Sequence, residues 1–437
     1  MFLRRAHWLV RRRRNAVVWT LMMAVGIFVF INRLKNPFTS ELLPRSEEKM
    51  ISQELVPTTH AKKSYTIKDT KNLSAEDGFS RAKFLRRACE NSIHRSGNKG
   101  IRVSFDPHAN AVYCPLCKIA STFWERIFRM MALNNKGTRN GTVLTAFDVP
   151  ISDISRSNDY LDLKNWTVGS KDATKSFRFM FVRNPFDMLF SLYVDKLVGP
   201  NPYFSRFSQA NKKQCGYANI TFRQLLEHVI ITDKKGKPLD CHVAKWDACL
   251  PCEVNYTYIG KMETFKDDTS VILSALGQLK SLDAMKAKFT DLHAHDAIQD
   301  SVSGPFEWRK NIVKCMSWPD ALRRVWRKLQ IRGVIGTTGF SLSELEAESI
   351  NRTDYIKVLK KVREKSTASE RRMIKQFSFI EAYRNIPAEI LDSIKQVYRH
   401  EFNLFNFSDD TEIFRQLDQY KAIGFFNYSN IDSNIRF

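Results

Sequence analysis

The sequence has few of the residues that interrupt regular structure, with 17 glycines and 14 prolines among 437 residues. It contains no internal repeat and no low-complexity tract, so a collagen-like chain and a glycine- and proline-rich disordered chain are excluded. The pattern G-x-x-x-x-G-K-[ST] is also absent, which excludes a standard NTP-binding loop. With 43% hydrophobic residues, the chain is able to bury at least one large core.

Acidic residues are scarce relative to basic ones, because 46 Asp and Glu face 69 Lys and Arg, a net formal charge of +23. No acidic residue precedes Glu41, whereas eight basic residues do, so the rest of the chain holds 61 basic and 46 acidic residues, or +15. Such an excess favours a polyanionic partner: nucleic acid, anionic lipid, or an acidic polysaccharide together with a phosphate-bearing cofactor.

One long uncharged run, from Ala16 to Ile31, follows six arginines. Extended by Asn15 and Asn32, it approaches the length of a membrane-spanning helix, and the positive-inside rule places the N-terminus in the cytoplasm. A cleaved signal peptide is the alternative, but the run ends in bulky residues without a small-x-small cleavage site. We predict a cytoplasmic tail over 1–15, a transmembrane signal anchor over 16–32 and a polar lumenal stem over 33–80.

Sequons and cysteines all lie beyond this run, as expected for a glycosylated, disulfide-containing lumenal chain. The Asn-x-Ser/Thr sequons begin at Asn72, Asn140, Asn165, Asn219, Asn255, Asn351, Asn406 and Asn427. The cysteines are Cys89, Cys114, Cys117, Cys215, Cys241, Cys249, Cys252 and Cys315. A lumenal site argues against nucleic acid as the partner, so the basic surface points to acidic glycans. In the lumen, Cys249 and Cys252 also favour structural disulfides over half a zinc site or a redox pair.

Two strand–loop–helix units occupy the middle of the chain. Periodicity predicts a strand over 111–116 followed by a helix over 123–133, and a strand over 177–182 followed by a helix over 186–197. Repeated units of this kind indicate an α/β fold with a parallel sheet. We predict one domain over 81–410, with extra helices in its second half, and a C-terminal tail over 411–437.

The first strand–helix junction reads CPLCKIASTFW, from Cys114 to Trp124. Thr122 and Glu125 have the spacing of a capping box, which predicts a helix start with free N–H groups facing the loop. Such a helix terminus binds anions, and Lys118 adds a charged donor beside it. The junction is therefore a candidate phosphate site, with an ordinary capped helix as the alternative.

The second junction contains a residue suited to each position of a phosphate-binding helix start. Asn184 is a good N-cap and Pro185 fits the first helical position. Arg183 then lies at the carboxyl end of a strand, where ligands bind in open α/β sheets. Together with the hydroxyl of Ser191 it would form a clamp for a terminal phosphate. The alternative is an ion pair between Arg183 and Asp187, with Ser191 packed inside the helix.

These two junctions resemble those of the Golgi carbohydrate sulfotransferases typified by chondroitin 4-O-sulfotransferases and the HNK-1 sulfotransferase. The first is similar to the family's 5′-phosphosulfate loop, C-x-V-P-K-V-A-x-T-N-W, with Cys117 in place of proline and Phe123 in place of asparagine. The second is similar to its 3′-phosphate motif, R-x-P-F-x-R-L-x-S-x-Y, with Met188 in place of a basic residue.

Two further blocks continue the resemblance in the same order. Cys249 to Thr264 is similar to the family's C-x-P-C…Y-D-x-V-G-K-x-E-T block, and Tyr398 to Phe407 to its closing segment. The resemblance covers about 80 to 408 and is weak between about 275 and 365, which we predict to be an insertion in the catalytic domain.

The resemblance implies a P-loop-like sulfotransferase fold, PAPS (3′-phosphoadenylyl sulfate) as the sulfate donor, and transfer to a sugar hydroxyl without a metal. Lys118 would neutralise the leaving 5′-phosphate. His242 is the candidate general base, because the family has a His-Trp pair before its C-x-P-C block; here the pair is opened out to His242 and Trp246. A surface histidine without catalytic function is the alternative. The residues predicted to bind PAPS are Cys117, Lys118, Ile119, Ala120, Ser121, Thr122, Phe123, Arg183 and Ser191.

The predicted acceptor is an anionic glycan, either a chondroitin-like glycosaminoglycan or a glycoprotein glycan, in the Golgi lumen. A basic amphipathic helix over 319–332 could contact it, although a solvated charged face is the alternative. His293 and His295 could bind metal, but a charged turn in solvent is preferred. Two other functions stay open: a Golgi glycosyltransferase, although no Asp-x-Asp occurs, and a degenerate glycan-binding membrane protein, although Lys118 and Arg183 are present.

Overall fold

The computed structural model describes residues 77–90, 102–135, 143–154, 160–162, 175–207, 215, 220–243, 245–286, 288–411, 414, 422–428 and 431–437. The predicted tail and anchor, nearly all of the predicted stem and the sequons at Asn72, Asn140, Asn165 and Asn219 lie outside these ranges. Within them, no helix combines the length and the apolar character needed to cross a bilayer.

A five-stranded sheet lies at the centre of the domain, in the spatial order β3-β1-β2-β4-β5. The strands are β1 Arg102–Asp106, β2 Ala111–Cys114, β3 Tyr160–Asp162, β4 Phe177–Val182 and β5 Tyr258–Lys261. β2, β4 and β5 are parallel, as predicted, but β1 runs antiparallel to both β2 and β3. The sheet is therefore mixed, and the prediction of a parallel sheet is wrong for this edge.

A tight turn explains the antiparallel edge. Four residues, 107–110, separate β1 from β2, too few for the crossover that a parallel pair requires. The Asp106 carboxylate accepts hydrogen bonds from the backbone N–H groups of His108 and Ala109, at 2.9 and 2.8 Å. Asn110 completes the turn with a left-handed φ of 48°.

Helices pack around the sheet and extend well beyond it. Those before β5 are α1 Gly78–Glu90, α2 Ser121–Asn135, α3 Ile151–Ile154, α4 Pro185–Leu192 and α5 Phe222–Lys234. Those after β5 are α6 Phe265–Ala275, α7 Leu279–Lys286, α8 Phe289–Glu307, α9 Arg309–Ile312, α10 Trp318–Ile331, α11 Glu344–Ser349, α12 Arg352–Lys365, α13 Ala368–Arg384, α14 Ala388–Val397 and α15 Arg399–Leu404. The two predicted strand–helix units are present, except that α4 ends earlier than expected and continues as a π-helical segment, Tyr193–Val198.

Local sequence accounts for where many of these helices begin. The side chains of Asn184, Thr221, Ser317, Asn351 and Thr367 each accept a hydrogen bond from a backbone N–H in the first turn that follows. These caps satisfy N–H groups that have no partner inside the helix. The cap by Asn184 and the position of Pro185 at the start of α4 confirm the prediction for the second junction.

The core has a sheet-centred part and a separate helical part. Trp124 of α2 is fully buried against Phe179 and Phe181 of β4, with ring centroids 4.7 and 5.5 Å apart. A second cluster surrounds Trp326 and Tyr355 and is built from α8, α10 and α12. The predicted insertion, about 275–365, thus has a hydrophobic core of its own.

Three disulfides link distant parts of the chain, which confirms the prediction of structural disulfides: Cys89–Cys252, Cys114–Cys249 and Cys215–Cys315. Cys249 and Cys252 thus pair with two other parts of the chain, which confirms a structural role for this C-x-x-C pattern. The first two bonds fasten the segment before β5 to α1 and to the end of β2. They constrain the first junction from its strand side.

Candidate functional site

The two predicted phosphate-binding junctions lie side by side because β2 and β4 are parallel neighbours, with Cys114 aligned to Met180. Parallel strands present their carboxyl ends at the same edge of the sheet. Arg183 Nη1 donates a hydrogen bond of 3.2 Å to the backbone oxygen of Lys118. The structure therefore brings together the two loops that the sequence analysis identified separately.

The first loop has a backbone conformation suited to anion binding. Lys118 and Ala120 both adopt left-handed φ values, 65° and 58°, and the Ile119 N–H donates to Leu116 O at 3.1 Å. Residues other than glycine rarely adopt such angles, and the few that do are often found at functional sites. A turn that contains left-handed residues can direct backbone N–H groups toward one concavity, which binds anions.

The helix after this loop begins two residues earlier than predicted, at Ser121 where position 123 was expected. α2 starts at Ser121, and the Trp124 N–H donates to Ala120 O at 3.1 Å. Thr122 consequently lies inside the first turn and not at the N-cap, so the predicted capping-box start is wrong. The reason is the left-handed Ala120, which turns the chain into the helix without a side-chain cap. The free N–H groups still face the loop.

The side chains of the predicted loop are not equally available to a ligand. Cys117, Lys118 and Ser121 are half-buried, and Thr122 is exposed. Ile119, in contrast, is buried in the core. Phe123 contacts Phe147, Phe265 and Phe289, with ring centroids 5.3–6.1 Å apart. The side chains of Ile119 and Phe123 are thus used for packing, and these two residues can offer a ligand only their backbone.

Lys118 is held by the half-buried carboxylate of Asp195. Its Nζ lies 2.7 Å from Asp195 Oδ2, and Asp195 also contacts Lys196 at 3.1 Å and Lys328 at 2.8 Å. Burial lowers the pKa of Lys118 to about 8, although Asp195 favours the charged ammonium. Burial also disfavours the Asp195 carboxylate, but the three lysines hold its pKa well below its usual range. Three ammonium groups around one carboxylate leave a net positive charge beside the loop.

The basic residues of α10 are not a solvated face, and that prediction is wrong. Arg324, Arg327 and Lys328 are all buried. Arg324 lies over the ring of Tyr428, at 4.2 Å from its centroid, and Lys328 contacts Asp195. Arg323 is occupied by Asp320, Glu344 and Asp432. Planar guanidinium groups stack on aromatic rings and pair with carboxylates, so the arginines of this helix can be buried although they are charged. It cannot be the docking face for an acidic glycan.

Arg183 belongs to a set of basic residues drawn from distant parts of the chain, here called the basic cluster: Lys118, Arg183, Arg332 and Lys375. Arg332 acts electrostatically on Lys118 and on Lys375, and Arg183 also acts on Lys375. Burial, with a contribution from Arg183, lowers the pKa of Lys375, yet its side chain keeps contact with solvent. Lys375 thus lies among other basic side chains while its own side chain stays open to solvent. Ser191 lies half-buried on α4, in the helix that Arg183 precedes.

Glu263 and His293 also have pKa values shifted by burial and side chains that are accessible to solvent. Burial raises the pKa of Glu263, which also interacts with Asp187 and Arg183. Burial and Arg332 lower the pKa of His293 to about 4, although its side chain is accessible to solvent. His293 and His295 are two residues apart on α8, so they do not share a face of the helix.

Sequence reasoning missed Arg332 and Lys375 because no motif contains them; Glu263 was present in the G-K-x-E-T block but was given no function.

His242, the predicted base, lies next to the first loop. It belongs to a short helical turn, Cys241–Val243, and its Nδ1 is 2.6 Å from Asp240 Oδ1. One of its ring nitrogens lies within 4.8 Å of the sulfur atoms of Cys117 and Cys241. Burial opposes protonation, but Cys241 and Asp240 raise the pKa of His242. The structure therefore places His242 beside the residue that precedes Lys118, while its chemical role stays a prediction.

Comparison with known proteins identifies a family that matches this chain. The family model described as the sulfotransferase family matches residues 102–327, which contain both loops and His242. Carbohydrate sulfotransferase 9 of Homo sapiens is 26% identical over 53% of this chain and 54% of its own length. Carbohydrate sulfotransferase 11 of Danio rerio is 24% identical over 57% of this chain and 73% of its own length.

Carbohydrate sulfotransferase 12 of Xenopus laevis is 25% identical over 48% of this chain and 56% of its own length. The chain thus spans about half the length of two of these three curated relatives and about three quarters of the third. No solved structure shows a significant match.

Replacing Asp195 by Asn should lower the pKa of Lys118 further below about 8, because the ammonium loses its nearest anion while Lys196 and Arg332 stay close. The pKa can be followed from the pH dependence of Lys118 labelling by an amine-specific reagent, read by peptide mass spectrometry. Asp300→Asn is the control, since Asp300 is more exposed and pairs with Arg332 at 3.9 Å. An unchanged Lys118 titration in Asp195→Asn would contradict this electrostatic account.

Proposed function

We infer that this chain, which belongs to the sulfotransferase family, transfers a sulfuryl group from PAPS to a hydroxyl of a carbohydrate. The observation that carries this proposal is the hydrogen bond between Arg183 and the backbone of Lys118, which unites a strained anion-binding loop with a second phosphate-binding junction. The names of the relatives, all carbohydrate sulfotransferases, support the acceptor class.

The residues of the site fit the two anionic ends of PAPS. The left-handed residues Lys118 and Ala120 and the free N–H groups of α2 offer donors for the 5′-phosphosulfate. Arg183 and Ser191 would hold the 3′-phosphate, since a guanidinium binds phosphate oxygens through two parallel hydrogen bonds. PAPS, when bound, supplies an activated sulfuryl group whose departure leaves negative charge on the 5′-phosphate.

Lys118 is suited to stabilising that charge. Its pKa of about 8 keeps most of the population protonated near neutral pH, while Asp195 holds the ammonium in place. A preorganised charge in a site of low dielectric stabilises a developing anion more than a mobile charge in water does. The net positive charge of Lys118, Lys196 and Lys328 around Asp195 supplements it.

His242 is the proposed general base for the acceptor hydroxyl. The Asp240 carboxylate accepts a hydrogen bond from Nδ1 of His242, which orients the imidazole. The Nε2 atom is then left to take the proton of the acceptor hydroxyl. His293 is the alternative base, because its low pKa keeps it neutral and it faces solvent near Arg332. Exchange of each histidine for Gln separates these two, since only the true base should carry the acidic limb of the pH–rate profile.

We propose a membrane-bound Golgi enzyme with a lumenal catalytic domain and an anionic glycan acceptor, such as a chondroitin-like chain. The apolar run before residue 33, the sequons and the three disulfides support a lumenal location. The +15 charge of the chain beyond its first forty residues and the basic cluster support an acidic acceptor.

Two other functions compete with this proposal and are separable by experiment. A Golgi glycosyltransferase would consume a sugar nucleotide, whereas the basic cluster and the first loop favour a donor with phosphate at both ends. A degenerate glycan-binding protein would bind acceptors but transfer nothing. The presence of Lys118 and Arg183, in contact with each other, favours a working enzyme over that alternative.

Changing Arg183 to Ala should weaken the binding of PAP, the product 3′,5′-bisphosphate, by about 1.5–3 kcal/mol, the contribution of a charge-assisted hydrogen bond. Changing Lys118 to Ala should mainly lower kcat, because its charge matters most as the leaving oxygen becomes anionic. Calorimetry with PAP and single-turnover kinetics with PAPS measure the two effects. Arg223→Ala, an exposed arginine paired with Glu227 on α5, is the control and should change neither. Parent-like behaviour of both site variants would remove the nucleotide-site assignment.

Labelled PAPS should transfer its sulfate to at least one member of a panel of chondroitin, dermatan, heparan and glucuronyl acceptors. For an anionic acceptor the apparent KM should rise with salt concentration, because salt limits the range of electrostatic attraction to about 8–10 Å at physiological ionic strength. The KM of a neutral saccharide should change little. Acceptor binding without transfer would favour the glycan-binding alternative, and turnover of a sugar nucleotide would favour the glycosyltransferase.

Expression in a eukaryotic secretory pathway should give a protein that sediments with membranes and shifts to lower mass on removal of N-glycans. The described sequons at Asn255, Asn351, Asn406 and Asn427 are the ones to map first. A soluble secreted product starting near residue 35 would contradict the signal anchor and restore the cleaved signal peptide.

A further inference from the structure

Two cysteines remain outside the disulfides, and they lie next to each other. All eight cysteines belong to the described residues; six are paired, and Cys117 and Cys241 are not. Their sulfur atoms and the nearest donor atom of His242 all lie within 4.8 Å of one another. Cys117 belongs to the first loop, and Cys241 belongs to the helical turn that carries His242.

The surroundings of Cys241 favour a reactive thiolate. Its side chain is exposed, and its Sγ lies 3.5 Å from His242 Nδ1, which in turn lies 2.6 Å from Asp240. A hydrogen bond from Cys117, followed in importance by one from His242, lowers the pKa of Cys241 to about 5. The same contact and partial burial raise the pKa of Cys117. One thiol of the pair is thus an accessible nucleophile, and the other is a protonated partner within reach.

We propose that Cys117 and Cys241 form a modification site, at which a low-molecular-weight disulfide such as oxidised glutathione introduces a fourth, reversible disulfide into this chain. The Cys241 thiolate attacks one sulfur of the glutathione disulfide, the S–S bond breaks, and one glutathione thiolate leaves. The Cys117 thiol then loses its proton and attacks the Cys241 sulfur of the mixed disulfide, releasing the second thiolate. Two protein thiols are oxidised, one glutathione disulfide is reduced to two thiols, and the thiolates that leave become protonated.

The geometry permits this bond with a local movement. The two sulfurs must approach from a separation of at most 4.8 Å to about 2.0 Å, a closure of at most about 2.8 Å. Rotation about the side-chain bonds of the exposed Cys241 can provide part of it. The remainder must come from the loop, where Cys117 precedes the left-handed Lys118 whose carbonyl accepts the hydrogen bond of Arg183.

Oxidation should therefore disturb the donor site. Pulling Cys117 toward Cys241 draws the Lys118 backbone with it and weakens its contact with Arg183. Assuming the proposed sulfotransferase function, PAP should then bind about tenfold or more weakly, because a displaced Arg183 loses one charge-assisted hydrogen bond to the 3′-phosphate. The formation of the disulfide itself does not depend on that function.

A thiophilic cation such as zinc is the competing occupant of the same three side chains. A closed structural zinc site takes four protein ligands, whereas the cluster consists of Cys117, Cys241 and His242. Since six cysteines of the same chain are paired in disulfides, an oxidised pair is the more consistent state, and zinc is an outcome of the test.

The experiment uses the full-length, detergent-solubilised protein equilibrated in glutathione buffers of increasing oxidised fraction. Thiols are trapped by alkylation, and disulfide-linked peptides are identified by mass spectrometry without reduction. A Cys117–Cys241 peptide should appear as the buffer becomes oxidising and disappear in reduced glutathione, while Cys89–Cys252, Cys114–Cys249 and Cys215–Cys315 persist. Alkylation of both thiols across the whole range would overturn the proposal, as would pairing of either with another cysteine.

Cys241→Ser is the variant that isolates the effect, because Cys241 lies outside the proposed donor site. Reduced protein of this variant should bind PAP like the parent, and oxidised glutathione should no longer weaken that binding. Cys117→Ser should also abolish the linked peptide, which serves as the second test if Cys241→Ser folds poorly. If Cys117 and Cys241 react with the alkylating reagent only after a chelator is added, and the protein contains one zinc per chain, the pair is a metal site and the proposed disulfide is wrong. A linked peptide that forms normally while PAP binds in neither redox state would refute the sulfotransferase proposal and not this one.

Discussion

The parallel pairing of β2 with β4 is the constraint on which the site depends. It aligns the ends of two strands that are more than sixty residues apart in sequence, so that the loops after them meet at one edge of the sheet. Arg183, immediately after β4, is then close enough to donate a hydrogen bond to the carbonyl of Lys118 in the loop after β2. The Cys114–Cys249 disulfide fixes the end of β2 on the other side. The position of the candidate phosphate-binding loops therefore follows from this strand pairing.

A buried carboxylate secures the far edge of the same sheet. Asp268 receives two hydrogen bonds from Arg81 of α1, at 2.9 and 2.8 Å, and others from Tyr258, Thr264 and the backbone N–H of Lys261. The donors come from α1 and from the segment 258–264, and together they satisfy the hydrogen-bonding capacity of this buried carboxylate. This network attaches α1 to β5 and keeps β5 beside β4.

Electrostatics connects the helical second half of the domain to the loops. Lys328 of α10 pairs with Asp195, which holds Lys118, and Arg332 immediately after α10 acts on Lys118 and Lys375. The segment predicted as an insertion thus contributes charge to the candidate site as well as a core of its own. Lys328 and Arg324 of α10 are buried because Asp195 and the ring of Tyr428, respectively, match their charges.

The sequence by itself determined the two strand–helix junctions, the cap at Asn184, the structural role of Cys249 and Cys252, and the family resemblance. These features are local, since each depends on residues a few positions apart. Only the tertiary structure decided that β1 is antiparallel, that Ala120 begins α2 in place of a Thr122 cap, and that the arginines of α10 are buried. It alone assembled Arg332 and Lys375 with Arg183, and Cys117 with Cys241, because distances between remote residues are set by strand order and packing and leave no periodic trace in the chain.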